Sequence, residues 1–337
     1  MSAARWMRSP VVDGAVAFAW VPFVFAARWA AGDTTALLLV INGTFLLSFL
    51  HQPLTLPLVY GDPGQRNAHR RLYTWSPLVF AAAIAFGLWV SLALVAVVAG
   101  LWNAEHTLMQ RYGLTRIYGR KVGQGDGRLD KAMLVSWLVL ALVWVAAEPA
   151  TPDRLVGLRL GQVNDDGVDR LLSLQPWAAA LLVPVLVVAA VLALSWLHAE
   201  ASRLRAGRAN PAKWLYVAST AALFTVILVD PVAGFIGYVG AHSIEYFVIV
   251  HHALGSRFTD GSGGPLGRVV RAPRGRGRFL GWYVATFLAV VAIEKAWGDQ
   301  GVYGFTVLFL GGLHVFYDGF VWKLRRPAVA RGLVTAD

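Results

Sequence analysis

Residues 212–255 read AKWLYVASTAALFTVILVDPVAGFIGYVGAHSIEYFVIVHHALG. Two apolar blocks, each about the 20 residues an α-helix needs to cross a bilayer, stand back to back around Asp230-Pro231. Proline cannot continue a helix, and its ring disfavours helical geometry in the residue before it. The chain is therefore expected to stop and restart at this pair. The second block also carries His242 and Glu245 among its apolar residues. Paired membrane-length helices, and ionisable groups placed inside them, recur through the whole sequence.

The composition agrees. The 337 residues are 57% hydrophobic and 15% charged, where a soluble domain would carry about 25% charge. Ten spans are expected, at about 11–31, 35–57, 74–90, 92–113, 131–149, 175–199, 212–230, 232–255, 278–296 and 302–324. The stretch 74–113 would make about 60 Å of helix, too long for one crossing, and is expected to break near Gly87 to Ser91. The reading is an all-α, polytopic integral membrane helical bundle, a single transmembrane domain over 1–337. The first apolar block is long and lacks a small-residue cleavage site, so no cleaved signal peptide is expected.

Lysine and arginine set the orientation. With both termini cytoplasmic, every one of the 30 basic residues falls on the inside except Arg28, Arg154, Arg159, Arg170 and Lys295. That bias is what the positive-inside rule demands. The net charge of +11 then belongs to short cytoplasmic loops facing anionic lipid heads, and no nucleic-acid partner is expected. The segment 151–173, with Asp153, Asp165, Asp166 and Asp169, reads as the main external loop, and 257–276 as a Gly/Arg-rich cytoplasmic one. The absence of cysteine excludes disulfides and thiolate metal sites, leaving His, Asp and Glu as ligands.

Four even-numbered spans carry the polar groups: His51; Glu105-His106; His242 with Glu245; and His314 with Asp318. All four run from outside to inside. At 1.5 Å per residue, the histidines lie roughly 24, 21, 15 and 18 Å below the outer surface, a common slab in the cytoplasmic half. His242 and Glu245 at i,i+3, and His314 and Asp318 at i,i+4, share helix faces. Glu105 is rotated by about 100° from His106. A histidine in a span is commonly a hydrogen-bonded packing group. Acid-plus-His pairs at one depth instead point to a shared polar site, and neutral imidazole with carboxylate suits iron, copper, zinc or manganese. The candidate metal ligands are His51, His106, His242, Glu245, His314 and Asp318, with His252 and His198 weaker. Glu105 is the candidate proton donor. His69, Asp62, Tyr246, Tyr317, Trp322, Glu294 and Lys295 read as solvated, turn-forming, interfacial or locally paired groups.

Two segments, Trp102 to Gly113 and His314 to Lys323, resemble stretches of bacterial multi-span membrane proteins with W-x₃-H-x₃-Q-x-Y-G and H-x₃-D-x₃-W-K patterns. In layout the chain is similar to integral-membrane histidine-rich oxygenases. These are the fatty-acid desaturase/hydroxylase group and the bacterial carotene dioxygenase (Brp/Blh) group. It lacks the desaturase HxxxH and HxxHH boxes, since His251-His252 has no upstream partner, so no ligand assignment is carried over. The resemblance implies a bacterial cytoplasmic membrane.

The expected function is a membrane metalloenzyme. It would be a non-haem iron oxidoreductase (oxygenase, hydroxylase or desaturase) with one or two irons, or copper or zinc in their place. It would act on a lipid-soluble substrate and draw on an electron donor. The alternatives are a proton-coupled transporter using the same groups as a relay and a haem-binding electron carrier.

Overall fold

The computed structural model describes residues 5–151, 153, 162–258, 264–298, 300–323 and 333–334. The described residues are helical, with no strand among them. A single domain is expected from sequence; the chain forms two compact units, 1–44 with 104–242 and 45–103 with 243–337.

The first unit holds α1 (Pro10–Ala17), α2 (Val21–Ala30), the start of α3 (Thr34–His51) and the later part of α7 (Leu92–Arg120). It continues through α8 (Arg128–Ala147), α9 (Gln162–Arg205), α10 (Pro211–Val229) and the first half of α11 (Pro231–Arg257). The second unit holds the end of α3, a 3₁₀ turn (Gln52–Leu54), α4 (Thr55–Tyr60), α5 (Pro63–Ala68), α6 (Arg70–Val90) and the start of α7. The rest of α11, α12 (Gly264–Arg271), α13 (Gly275–Trp297) and α14 (Gln300–Val321) complete it.

The expected breaks fall where the residues dictate. Asp230 leaves helical geometry between α10 and α11, and Ser91 is extended between α6 and α7. Several boundaries differ from the sequence reading. The first span is interrupted, because Pro22 opens α2 and supplies no amide hydrogen to a continuing helix. The second bends at Gln52–Leu54, where Pro53 interrupts the hydrogen-bond ladder. The loop expected over 151–173 is shorter than that among the described residues. Asp165, Asp166 and Asp169 belong to α9, a helix of 44 residues, while Arg154 and Arg159 lie outside the described residues. The Gly/Arg-rich loop contains the amphipathic α12, which buries Leu266 and Val270 and exposes Arg268 and Arg271. Gly261 to Gly263 lie outside the described residues.

Nine helical segments among the described residues are long and apolar enough to cross a membrane. The stretch expected as the remaining span, 92–113, is helical within α7. The case for lipid comes from exposure as well as length. Residues 172–205 contain a stretch of mean hydropathy 2.7, of which only 11% is buried. Leaving that surface in water would cost about 25 cal/mol per Å². Trp29, Trp89 and Trp282 likewise stand almost fully exposed. The chain is an all-helical protein suited to a bilayer.

In the first unit α8 and α9 pack along each other, and α10 packs on α1 and α8. Glycines bring α11 close to α2: a Cβ at Gly240 would stand 2.5 Å from the Phe23 ring. Small residues at such crossings let backbones approach where no hydrophobic drive between helices exists. In the second unit α14 packs on α6, α13 and the bend between α3 and α4. Leu54, Leu58, Tyr246, Val250 and Leu254 form one buried cluster with α12 laid against it, and the Leu266 amide donates to the Gly61 carbonyl at 3.2 Å.

Candidate metal centre

In the second unit, the bend at Pro53 decides what meets what. His51 closes α3 and Thr55 opens α4 four residues later, so both side chains reach α14 from one short turn. Their partners on α14 are His314 and Asp318, one helical turn apart. His51 Nε2 and His314 Nε2 lie 3.2 Å apart, with ring planes at 82°. Asp318 Oδ2 is 3.8 Å from His314 Nε2. The Thr55 hydroxyl stands 2.7 Å from His314 Nδ1, 2.8 Å from the Tyr246 hydroxyl and 3.2 Å from Asp318 Oδ1, to which it donates. Tyr246, from α11, also donates to Asp318 Oδ1, at 3.1 Å. Its ring packs against both imidazoles, at 5.1 and 5.0 Å between centroids. His51, Thr55, Tyr246 and His314 are all at most 1% exposed. The turn itself is braced by Tyr283, whose hydroxyl donates to the Leu50 carbonyl at 2.6 Å.

The donor set can be compared with metal geometry. Bonds of about 2.0–2.1 Å from zinc to imidazole nitrogen put neighbouring tetrahedral ligands about 3.3 Å apart. The 3.2 Å separation of the two Nε2 atoms matches that edge. Asp318 Oδ2, 3.8 Å from His314 Nε2, exceeds that edge by about 0.5 Å. Two imidazoles and one carboxylate are also the donors of the facial-triad irons, which keep other positions open. The opposite edge of His314 is held through Nδ1 by Thr55, and Asp318 is held through Oδ1. Outer contacts of this kind orient metal ligands and fix their tautomers.

The first unit carries the other histidine pair. His106 on α7 and His242 on α11 are buried, with ring centroids 5.0 Å apart and planes at 88°. Two side-chain bonds clamp α7 to α11 on either side of them. Tyr238 donates to the Ala104 carbonyl at 2.7 Å, and Gln110 donates to the His242 carbonyl at 3.0 Å. Between these clamps the Thr107 hydroxyl is buried with no hydrogen-bond partner among the described residues.

The remaining candidates fall as follows. Glu245 is fully buried on α11, one residue before Tyr246. Glu105 lies on the exposed side of α7, turned away from the buried His106 by the rotation that its sequence position implies. His252 is half-buried and His198 exposed. Asp62 caps α5, accepting from the Gly64 and Gln65 amides, as its turn sequence suggests. Thr55, which carries no ionisable group, and Tyr246, which reads in the sequence as an interfacial aromatic, are central to the site.

A second polar centre lies in the first unit and was also missed. Lys213, at the start of α10, reads in the sequence as a cytoplasmic loop charge, but it is fully buried. Its ammonium donates to Asp130 Oδ1 at 2.7 Å, Glu200 Oε1 at 2.7 Å and Gln124 Oε1 at 2.9 Å. Trp196 donates to Asp130 at 2.8 Å and Trp214 to Glu200 at 2.7 Å. Arg116 reaches Asp130 at 3.4 Å and the carbonyls of Gln124, Gly125 and Asp126, while Arg203 reaches Glu200. With each ammonium hydrogen donated to an acceptor, the centre ties helices together and leaves the lysine no hydrogen to offer a ligand.

No protein-family model, curated protein or solved structure matches the chain.

Proposed function

We propose that the protein is a membrane-embedded metalloenzyme, a non-haem iron oxidoreductase acting on a lipid-soluble substrate. The observation that carries this reading is the placing of two donors around one buried imidazole nitrogen: His51 Nε2 lies 3.2 Å and Asp318 Oδ2 3.8 Å from His314 Nε2. Ionisable groups at membrane depth are costly and are retained chiefly where they act. These three residues would hold the ion. His106 and His242 stay ligand candidates as a buried pair, with Glu245 beside them in sequence, and Glu105 is the weakest member because of its exposure. Iron is favoured over copper and zinc because two histidines and a carboxylate leave positions open for dioxygen, which bound iron would activate with electrons from a separate donor. The residues themselves orient the site: Thr55 and Tyr246 hold Asp318, and the apolar walls of Leu54, Leu58 and Val250 exclude water.

The finer topology belongs to the same proposal. Ten spans with both termini cytoplasmic account for the distribution of basic residues, and put the site in the cytoplasmic half of a bacterial inner membrane.

The unbroken run of contacts from Tyr246 through Thr55 and His314 to His51, each at 3.2 Å or less, favours one competing reading, a proton relay in a transporter. Metal analysis of the protein purified without chelator separates the two. The enzyme reading expects one to two equivalents of iron, lost in His314→Ala and in His51→Ala. Protein that takes up no iron, copper or zinc, even when offered each under anaerobic conditions, would falsify it.

A further inference from the structure

We infer that Thr55 is the positioning residue of this centre: its hydroxyl commits His314 to the tautomer with hydrogen on Nδ1 and so turns the Nε2 lone pair toward the ion. The inference rests on the metal reading above. A threonine hydroxyl has one hydrogen to give and two lone pairs to offer, and here it meets three groups. They are His314 Nδ1 at 2.7 Å, the Tyr246 hydroxyl at 2.8 Å and Asp318 Oδ1 at 3.2 Å. Thr55 is fully buried, so its hydroxyl is closed to bulk water. A ligating carboxylate is ionised and accepts only, and hydrogen bonds to it are about twice as strong as neutral ones. The Thr55 hydrogen therefore goes to Asp318 Oδ1, and the two lone pairs of its hydroxyl face the Tyr246 hydroxyl and His314 Nδ1. The side of Thr55 facing His314 is then a lone pair, and Nδ1 must be the donor.

One side chain thereby orders two ligands. Asp318 is turned so that Oδ1 is occupied by hydroxyls and Oδ2 lies on the side of His314 Nε2. His314 is prevented from placing its hydrogen between the two Nε2 atoms, where it would form a His–His hydrogen bond of 3.2 Å and block the ion. The sequence provides for this through Pro53, which ends α3 at His51 and starts α4 at Thr55.

The test measures zinc affinity of the full-length detergent-solubilised protein by competition with a chromophoric chelator. It compares wild type with Thr55→Val, Thr55→Ser and Tyr246→Phe. Loss of an outer-sphere partner costs about 10–100-fold in metal affinity, and that drop is expected for Thr55→Val. Thr55→Ser restores the hydroxyl and is expected to bind within about threefold of wild type. Tyr246→Phe removes a hydroxyl that reaches Thr55 and Asp318, where Trp322 also bonds, but leaves Nδ1 held, so its loss should be smaller than that of Thr55→Val. Nitrogen-15 spectra of ring-labelled zinc-loaded protein should assign the hydrogen of His314 to Nδ1. If Thr55→Val does not fold, Thr55→Ser, Tyr246→Phe and the nitrogen spectrum still decide. Equal zinc binding by folded Thr55→Val, a larger loss in Tyr246→Phe, or hydrogen on Nε2 would each overturn the role of Thr55. If wild type takes up no zinc and no iron, the metal reading fails and this inference falls with it.

Discussion

Replacing Lys213 by methionine tests whether the ionic centre of the first unit is dry. Methionine matches the stem of lysine but removes three donated hydrogen bonds, two of them to carboxylates 1% and 3% exposed. Each carboxylate keeps an indole donor and an arginine, but Arg116 is 3.4 Å from Asp130 and Arg203 is partly exposed. Coulomb attraction alone does not set the size of the effect. What decides it is that the two acids cannot return to water when their shared ammonium goes. Removing one partner of a buried ion pair costs about 3–5 kcal/mol, and that loss is expected for Lys213→Met. Adding Asp130→Asn should recover part of it, since an amide needs no cation. Unfolding in mixed SDS micelles is the assay, followed by tryptophan fluorescence because Trp196 and Trp214 both donate into the centre. A loss below about 1 kcal/mol, the range of solvent-exposed pairs, would refute the reasoning and mean that water reaches the acids.

Further outcomes follow from other contacts. Gly240→Ala places a methyl group 2.5 Å from Phe23 and should destabilise the first unit by about 1–3 kcal/mol. Phe23→Leu in the same background should restore part of this in the same unfolding assay. Tyr317→Phe removes the hydroxyl that meets Tyr60 at 2.8 Å and Ser76 at 2.9 Å; a loss of about 1 kcal/mol is expected, with iron content unchanged. Asp62→Ala removes the cap of α5 and should cost about 1 kcal/mol, seen as faster proteolysis near residue 64.

Some of this architecture was legible in the residues and some was not. Asp230-Pro231 marked a helix end because local chemistry suffices to stop a helix, and the break at Ser91 followed from a stretch too long for one crossing. The pairing of His314 with Asp318 followed from 3.6 residues per turn, which needs only one helix. Helical phase also placed Glu105 away from His106. Thr55 was invisible because a hydroxyl gains meaning only from what surrounds it, and its partners come from α11 and α14, about 190 and 260 positions away. Tyr246 was read as an interfacial aromatic for the same reason. Lys213 was misjudged more sharply, and Asp130 and Glu200 drew no reading. Charge counting assigns such residues to the water side of a membrane, and only the packing of three helices brings them onto one another.

The position of that ionic centre has a consequence for biogenesis. Asp130 and Lys213 lie in the first turns of α8 and α10, and Glu200 lies near the end of α9. Each helix can therefore enter the bilayer singly with its charge still hydrated at the surface, avoiding the several kcal/mol that a lone charge at mid-membrane would cost. Dehydration comes only when all three have met, because the lysine satisfies both acids together. The centre can thus close only after all three helices have met. A chain lacking one of these helices would be left with hydrated charges at the membrane surface, open to quality-control proteases.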